Sequence, residues 1–355
     1  VDTRRSPLTT LAAVPAGLVL VLTGTVPAQA DDTTYVALGD SFSAGTGTRA
    51  STDACYRSPY GYPVLIAQSQ GLALDYQACS GATTADVLAE QVSALGPETS
   101  LVTLTIGGND VGFAAVITEC ALPGWLSDCE GAIADGREVL VHELPGRYDA
   151  VLAAIGAGAP DADVRVGGYP LLFNGDDCDW ATFFSASEMA ELNAATDELD
   201  ALVEQKTTAA GHTYVDPRGA FAGHAVCDDA EWVNGLSWPV VESYHPNRAG
   251  NIGYADAFWP GSGTAAATGV PSGPSTQGFQ SSVDQEARAV LAMDLTSPAN
   301  LRAAAAAGIP PGRLTALVAQ LRSQDPDVVT EALKDLAALD AGLERHAPRG
   351  DAYLW

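Results

Sequence analysis

The sequence predicts an α/β protein, three layers deep, with a central five-stranded, mostly parallel sheet and a small helical extension at its C-terminal end. Two observations predict it. From Thr34 to about Pro260, strand-length apolar runs alternate with segments of helical periodicity. That is the pattern of a parallel sheet covered by helices on both faces. At Pro260 the composition changes to PGSGTAAATGVPSGPSTQG, a Gly/Pro/Ser/Thr stretch that reads as a linker. The 355 residues, 47% of them hydrophobic, suffice for a large buried core.

The elements follow in order. Residues 1–30 read as a secretory leader: Arg4 and Arg5 form a basic start, an apolar run extends from Leu11 to Val26, and Ala28-Gln29-Ala30 is a cleavage site. Cleavage is expected after Ala30, which makes the protein extracellular. The run is broken by Pro15, Gly17 and Gly24 and is too short to span a bilayer. Residues 31–260 are expected to form the main domain. Its strands are read from Tyr35 to Leu38, Leu72 to Tyr76, Leu101 to Ile106, Val164 to Gly167 and Thr213 to Val215. Helices are read from Thr83 to Leu95, from Arg137 to Ala157 with a bend near Pro145, and from Arg248 to Phe258. A further helix opens at the capping box of Ser185 and Glu188 and stops by Gly211. Residues 261–278 are the linker, and residues 279–355 a helical extension with no visible chemistry. There, Asp325-Pro326 starts a helix whose stripe of Val329, Leu333, Leu336, Leu339 and Leu343 must be buried on itself, on the first domain or on a partner.

Charge and cysteines narrow the classes. The net charge of −27 comes from acidic residues spread along the chain. That argues against nucleic acid, whose phosphates need basic patches, and against adsorption to anionic lipid. Six cysteines, an even number in an exported chain, read as three disulfides. They allow about fifteen pairings, of which the sequential one closes the shortest loops. No Cys-x-x-Cys occurs, and the five histidines lack ligand spacing, so no metal is expected. Asp176, Asp177 and Asp179 fit no calcium loop and read as solvated.

Ligand sites in open α/β sheets lie at the carboxyl ends of the strands. After the first strand, VALGDSFSAG presents Ser41 in what by itself is ordinary turn chemistry. After the second, ACSGATTADV places Gly81 before a helix; after the third, IGGNDVGF places Asn109; after the fifth, ESYHPNRAG places His245. Together these make a kit for acyl transfer. Ser41 supplies a nucleophile and His245 a base. The N–H groups of Ser41 and Gly81 and the Asn109 side chain are candidate oxyanion donors. A G-x-S-x-G elbow is not present at Ser41, because Gly39-Asp40-Ser41-Phe42-Ser43 ends in serine.

The four segments resemble the blocks of the GDSL, or SGNH, hydrolase family: Gly39 to Gly45, the region of Gly81, Gly107-Gly108-Asn109-Asp110, and His245-Pro246-Asn247. The resemblance covers about residues 33–260. It implies a flavodoxin-like sheet, a serine ester hydrolase of the lipase and esterase type, and no cofactor. It also implies that the cysteines pair in sequence, Cys55–Cys79, Cys120–Cys129 and Cys178–Cys227, as in secreted actinobacterial lipases of the family. Ser41 is then the nucleophile and His245 the base. Members carry an acid three residues before the histidine, here Glu242. In some secreted relatives a backbone carbonyl two residues before it, here that of Ser243, takes the role instead. Glu242 is expected to orient His245, with the Ser243 carbonyl as alternative. Asp40 and Asp110 are expected to bond turn N–H groups. The apolar loop from Tyr169 to Phe184 reads either as core or as a wall of an acyl groove. A monomer acting on a small-molecule or lipid ester is expected. An acetyl-polysaccharide esterase or a phospholipase shares the mechanism. A binding protein with a dead site is disfavoured by the presence of all four residues.

Overall fold

In strand β1 (Thr34–Gly39) every residue after Thr34 is buried. Successive strand residues face opposite sides, so such a strand needs cover on both. The computed structural model, which describes residues 1–3, 34–263 and 282–344, supplies it. The expected leader with its cleavage site and most of the linker lie outside the described residues. The sheet runs β2-β1-β3-β4-β5, with β2 (Ala73–Tyr76), β3 (Thr99–Thr105), β4 (Asp163–Gly167) and β5 (Thr213–Val215). Every pairing is parallel. The strand order reverses between β1 and β3, the switch point at which a crevice opens beyond the strand ends.

Helices cover the sheet. A single turn, α1 (Ser41–Ala44), follows β1, and α2 (Tyr62–Gln70) leads to β2. Then come α3 (Thr84–Asp86), α4 (Phe113–Cys120), α5 (Cys129–His142), α6 (Leu144–Gly158), α7 (Ala186–Ala209), α8 (Arg218–Phe221) and α9 (Arg248–Phe258). Helices α2, α8 and α9 pack as one group, and α5, α6 and α7, with α3 on α6, as another. The capping box of Ser185 and Glu188 opens α7 as its sequence indicates.

Three stretches differ from expectation. The region from Thr83 to Leu95 is not one α-helix: α3 passes into a π turn (Val87–Gln91) and a 3-10 turn (Val92–Ala94). The widened turn brings Gln91 inward, where it pairs with both backbone groups of Gly39: the Gly39 N–H donates to Oε1 at 2.7 Å, and Nε2 donates to the Gly39 carbonyl at 2.9 Å. The helix expected from Arg137 instead starts at Cys129 and ends at His142, and α6 takes over with Pro145 in its first turn. Proline lacks the N–H that a continuous helix needs there. Helices α2 and α4 fall in stretches the pattern leaves unassigned. In α2, Tyr62, Pro63, Leu65, Ile66 and Ala67 are all buried, so no polar stripe marks its period.

The disulfides are Cys55–Cys79, Cys120–Cys129 and Cys178–Cys227. The second ties the end of α4 to the start of α5. Past the linker, α10 (Val283–Ala292), α11 (Pro298–Ala306), α12 (Pro311–Gln320) and α13 (Pro326–Glu344) share a core that includes Val290, Leu314, Leu333 and Leu336. That core also takes in Ala181, Phe183 and Leu236, with Trp125, Trp180 and Trp238 against it. The helices therefore pack on one another and on three loops, 121–128, 168–185 and 222–247. A hydrogen bond of 2.8 Å from the Gly124 N–H to Asp340 Oδ1 fixes one of these contacts.

Candidate active site

The turn after β1 is built to present Ser41. Gly39 has φ +124°, and a Cβ there would lie 2.3 Å from the Thr105 carbonyl oxygen, so only glycine fits. Asp40 caps α1, its Oδ1 accepting the Phe42 N–H at 3.0 Å. Ser43, one turn on, is fully buried and bonded to the Tyr62 hydroxyl at 2.7 Å and the Thr105 N–H at 3.0 Å. The turn is thus fastened on both sides of Ser41, whose own Oγ is left for another partner.

That partner is His245. Its Nε2 lies 2.7 Å from Ser41 Oγ, and its Nδ1 lies 2.7 Å from the Ser243 carbonyl oxygen. A carbonyl can only accept, so Nδ1 carries the proton and Nε2 is the free acceptor for the serine O–H. Burial pushes the imidazole down to about 4, against the pull of the Ser243 carbonyl, so the ring is neutral at physiological pH. The loop is shaped for this contact. Tyr244 adopts φ +57°, turning the Ser243 carbonyl toward the ring. Asn234 clamps the loop, donating from Nδ2 to the carbonyls of Gly47 at 2.9 Å and Glu242 at 3.1 Å, while its own N–H bonds the His245 carbonyl at 3.0 Å.

Glu242 turns to a different partner. Its Oε2 accepts the Arg49 N–H at 3.3 Å, and Arg49 in turn donates to Ser237 Oγ at 2.9 Å. Among the described residues no hydrogen bond or ion pair joins Glu242 to His245. The group at His245 Nδ1 is the carbonyl one residue later. Glu242→Gln keeps an acceptor for the Arg49 N–H, so it is expected to lower kcat by less than about tenfold, against the ~10⁴-fold that loss of a true triad acid costs. Steady-state kinetics on a soluble ester check this, and a loss above a hundredfold would reinstate Glu242.

The remaining segments converge on Ser41. Asn109 donates from Nδ2 to the Ala82 carbonyl at 3.0 Å, joining the third segment to the second and leaving its other N–H available. Gly81 adopts φ +86°, and among the described residues its N–H donates to no acceptor. The Ser41 N–H opens α1, where the first-turn donors have no partner within the helix. Asp110 accepts from the Thr84 N–H at 2.9 Å and Thr84 Oγ1 at 2.6 Å, and pairs with Arg147 at 3.1 Å. Asp40 has a second partner that its sequence context does not announce. The Tyr169 hydroxyl donates to Oδ2 at 2.5 Å, and the Gly108 N–H donates to that hydroxyl at 3.1 Å. Burial pushes the Asp40 carboxyl up to about 7, against these hydrogen bonds, which favour its charged form.

Two aspartates expected to be solvated are structural instead. Asp177 accepts from Thr182 Oγ1 at 2.8 Å and the Phe184 N–H at 3.0 Å, and Asp179 accepts the Leu236 N–H at 2.8 Å. They order the loop around the Cys178–Cys227 disulfide.

This geometry can be set beside known proteins. Residues 37–251 match the model of the GDSL-like lipase/acylhydrolase family. The chain belongs to this family. It is accordingly a serine ester hydrolase. It is 42% identical to a lipase from Streptomyces rimosus over 61% of this chain and 82% of that one, and 40% identical to Lipase 1 of Streptomyces coelicolor over 64% and 85%. Among solved structures it resembles the extracellular lipase of S. rimosus (TM-score 0.60, 38% identity) and phospholipase A1 of Streptomyces albidoflavus (TM-score 0.60, 36% identity), covering 66% of this chain and 99% of each of those.

In this member of the GDSL-like family, a cavity leads from Ser41 and Asn109. Its walls are mostly apolar, with Val116 and Ile117 from α4, Ile133 and Leu140 from α5, and Leu192 and Leu199 from α7, beside Arg137 and Thr196. Part of the loop from Tyr169 to Phe184 lines this cavity and part packs in the core. Tyr169, Pro170 and Leu172 line the cavity. Phe173 and Phe184 pack on each other at 4.9 Å and on Tyr244, inside the core. Among the described residues no helix is long and apolar enough to cross a membrane.

Proposed function

We propose that this enzyme is a secreted lipase or carboxylesterase in which Ser41 and His245 act as a dyad, with the Ser243 carbonyl orienting the base. The observation that carries the reading is the 2.7 Å contact of Ser41 Oγ with a buried, neutral His245 at the mouth of an apolar cavity. The ester carbonyl carbon is attacked by Ser41 Oγ as His245 Nε2 takes its proton. The imidazolium is held by the Ser243 carbonyl at Nδ1. The negative oxygen is met by the Ser41 and Gly81 N–H groups and the free amide N–H of Asn109. The alcohol leaves with the proton from Nε2, and water then releases the acid by the same steps in reverse order. Three disulfides support an oxidising, extracellular setting.

The cavity favours a fatty acyl chain over acetate. Each buried methylene contributes about 0.8 kcal/mol, so kcat/KM is expected to rise roughly fourfold per methylene until the cavity is filled. A panel of p-nitrophenyl esters from acetyl to palmitoyl measures this, and a flat profile or one led by acetate would point to a polysaccharide deacetylase instead. The likeness to phospholipase A1 supports a second reading, in which a phosphatidylcholine is cleaved; mixed micelles of that lipid test it beside the panel.

A further inference from the structure

Strands β1 and β3 carry Ser41 and Asn109 on the turns that follow them, and the last rung between these turns is the Asp40 N–H to the Thr105 carbonyl at 3.0 Å. Beyond that rung the two turns leave the ladder at the switch point. Something else must hold their separation, because a nucleophile and an oxyanion donor work only at a fixed spacing. Tyr169 spans the gap. It comes from the end of β4, and its backbone N–H is anchored to Asp200 Oδ1 at 2.8 Å, on a fully buried carboxylate. Its ring packs edge-on against Phe42 at 4.9 Å. Its hydroxyl donates to Asp40 Oδ2 at 2.5 Å and accepts from the Gly108 N–H at 3.1 Å. Asp40 directly precedes Ser41, and Gly108 directly precedes Asn109.

We propose that Tyr169 is a positioning residue: its hydroxyl sets the distance between the Ser41 nucleophile and the Asn109 oxyanion donor. The inference rests on the roles given to Ser41 and Asn109 above. The Tyr169 ring lines the cavity, while its hydroxyl is bonded to Asp40 and Gly108 and acts through the two turns. Removal of the hydroxyl weakens the transition state while leaving ground-state binding alone.

The test is a double-mutant cycle on the full chain with p-nitrophenyl butyrate. Tyr169→Phe keeps the ring and is expected to lower kcat roughly 10- to 100-fold, with KM within about twofold. In an Asn109→Ala background the same change is expected to cost less than about threefold, since the donor it positions is gone. A role in stability alone gives equal losses in both backgrounds and overturns the proposal, as does a Tyr169→Phe enzyme with the parent kcat. If Tyr169→Phe does not fold, Asp40→Asn carries the same cycle, because it retains an acceptor for the Phe42 N–H and removes the one for the tyrosine. An active Ser41→Ala enzyme instead removes the reading on which the proposal stands, so the two failures are told apart.

Discussion

Replacing Ser41 with alanine is expected to leave a folded protein whose kcat on a soluble ester has fallen at least ~10⁴-fold, the scale on which losing a serine nucleophile acts. The fold should survive because the turn does not depend on Ser41 Oγ. Gly39, Asp40 and Ser43 carry its hydrogen bonds, and among the described residues the partner of Oγ is His245 Nε2 at 2.7 Å. The change leaves that buried nitrogen without a donor, a cost of about 1–3 kcal/mol. Circular dichroism and a thermal melt should therefore show a modest decrease in stability. A folded Ser41→Ala protein with parental turnover would remove Ser41 from the chemistry and with it the acyl-serine.

The second large effect concerns His245. His245→Ala is expected to lose nearly as much kcat as Ser41→Ala, and the double variant little more than either, because the two groups act as one unit. The pH profile of the parent separates the dyad from a triad. His245 must be neutral to accept the serine proton, and burial has moved its protonation down to about 4. In the free enzyme the limb of kcat/KM due to His245 should lie at about 4, where the ring becomes charged, distinct from any step at about 7, where the Asp40 carboxyl titrates. A carboxylate at Nδ1 would stabilise the imidazolium and move that limb up, toward or above the ordinary histidine range. An acid limb near neutrality, abolished by Glu242→Gln, would contradict the arrangement described here.

Much of this was legible in the sequence, and the reasons it was legible differ from the reasons the rest was not. The five strands announce themselves because a parallel sheet needs short, continuous apolar runs such as that from Leu101 to Ile106. Ser41, Asn109 and His245 stand out because glycines and turn residues surround them at strand ends. The group found at His245 Nδ1 does not stand out. Every residue has a carbonyl, so the one on Ser243 carries no signature, whereas Glu242 at a familiar spacing draws the eye. The direction of each is decided by Tyr244 at φ +57° and by Asn234, a long-range clamp with no local pattern. Gln91 and Tyr169 are hidden for a similar reason. One looks like a helix surface residue until a π turn brings it inward, and the other looks like apolar loop until its hydroxyl finds Asp40.

The four C-terminal helices also govern how the rest of the molecule behaves as a solute. Ala181, Phe183 and Leu236 are each no more than 9% exposed, and they owe that to helices α10 to α13. A chain cut at Gly263 would lay these side chains open beside Trp125, Trp180 and Trp238. Contiguous aromatic surface of that kind drives self-association. Such a fragment would tend to clump and precipitate even with Ser41 and His245 in register, despite the acidic charge that otherwise keeps the molecules apart. Dispersal in water and ester cleavage are therefore encoded in separate parts of this chain, and losing one need not lose the other.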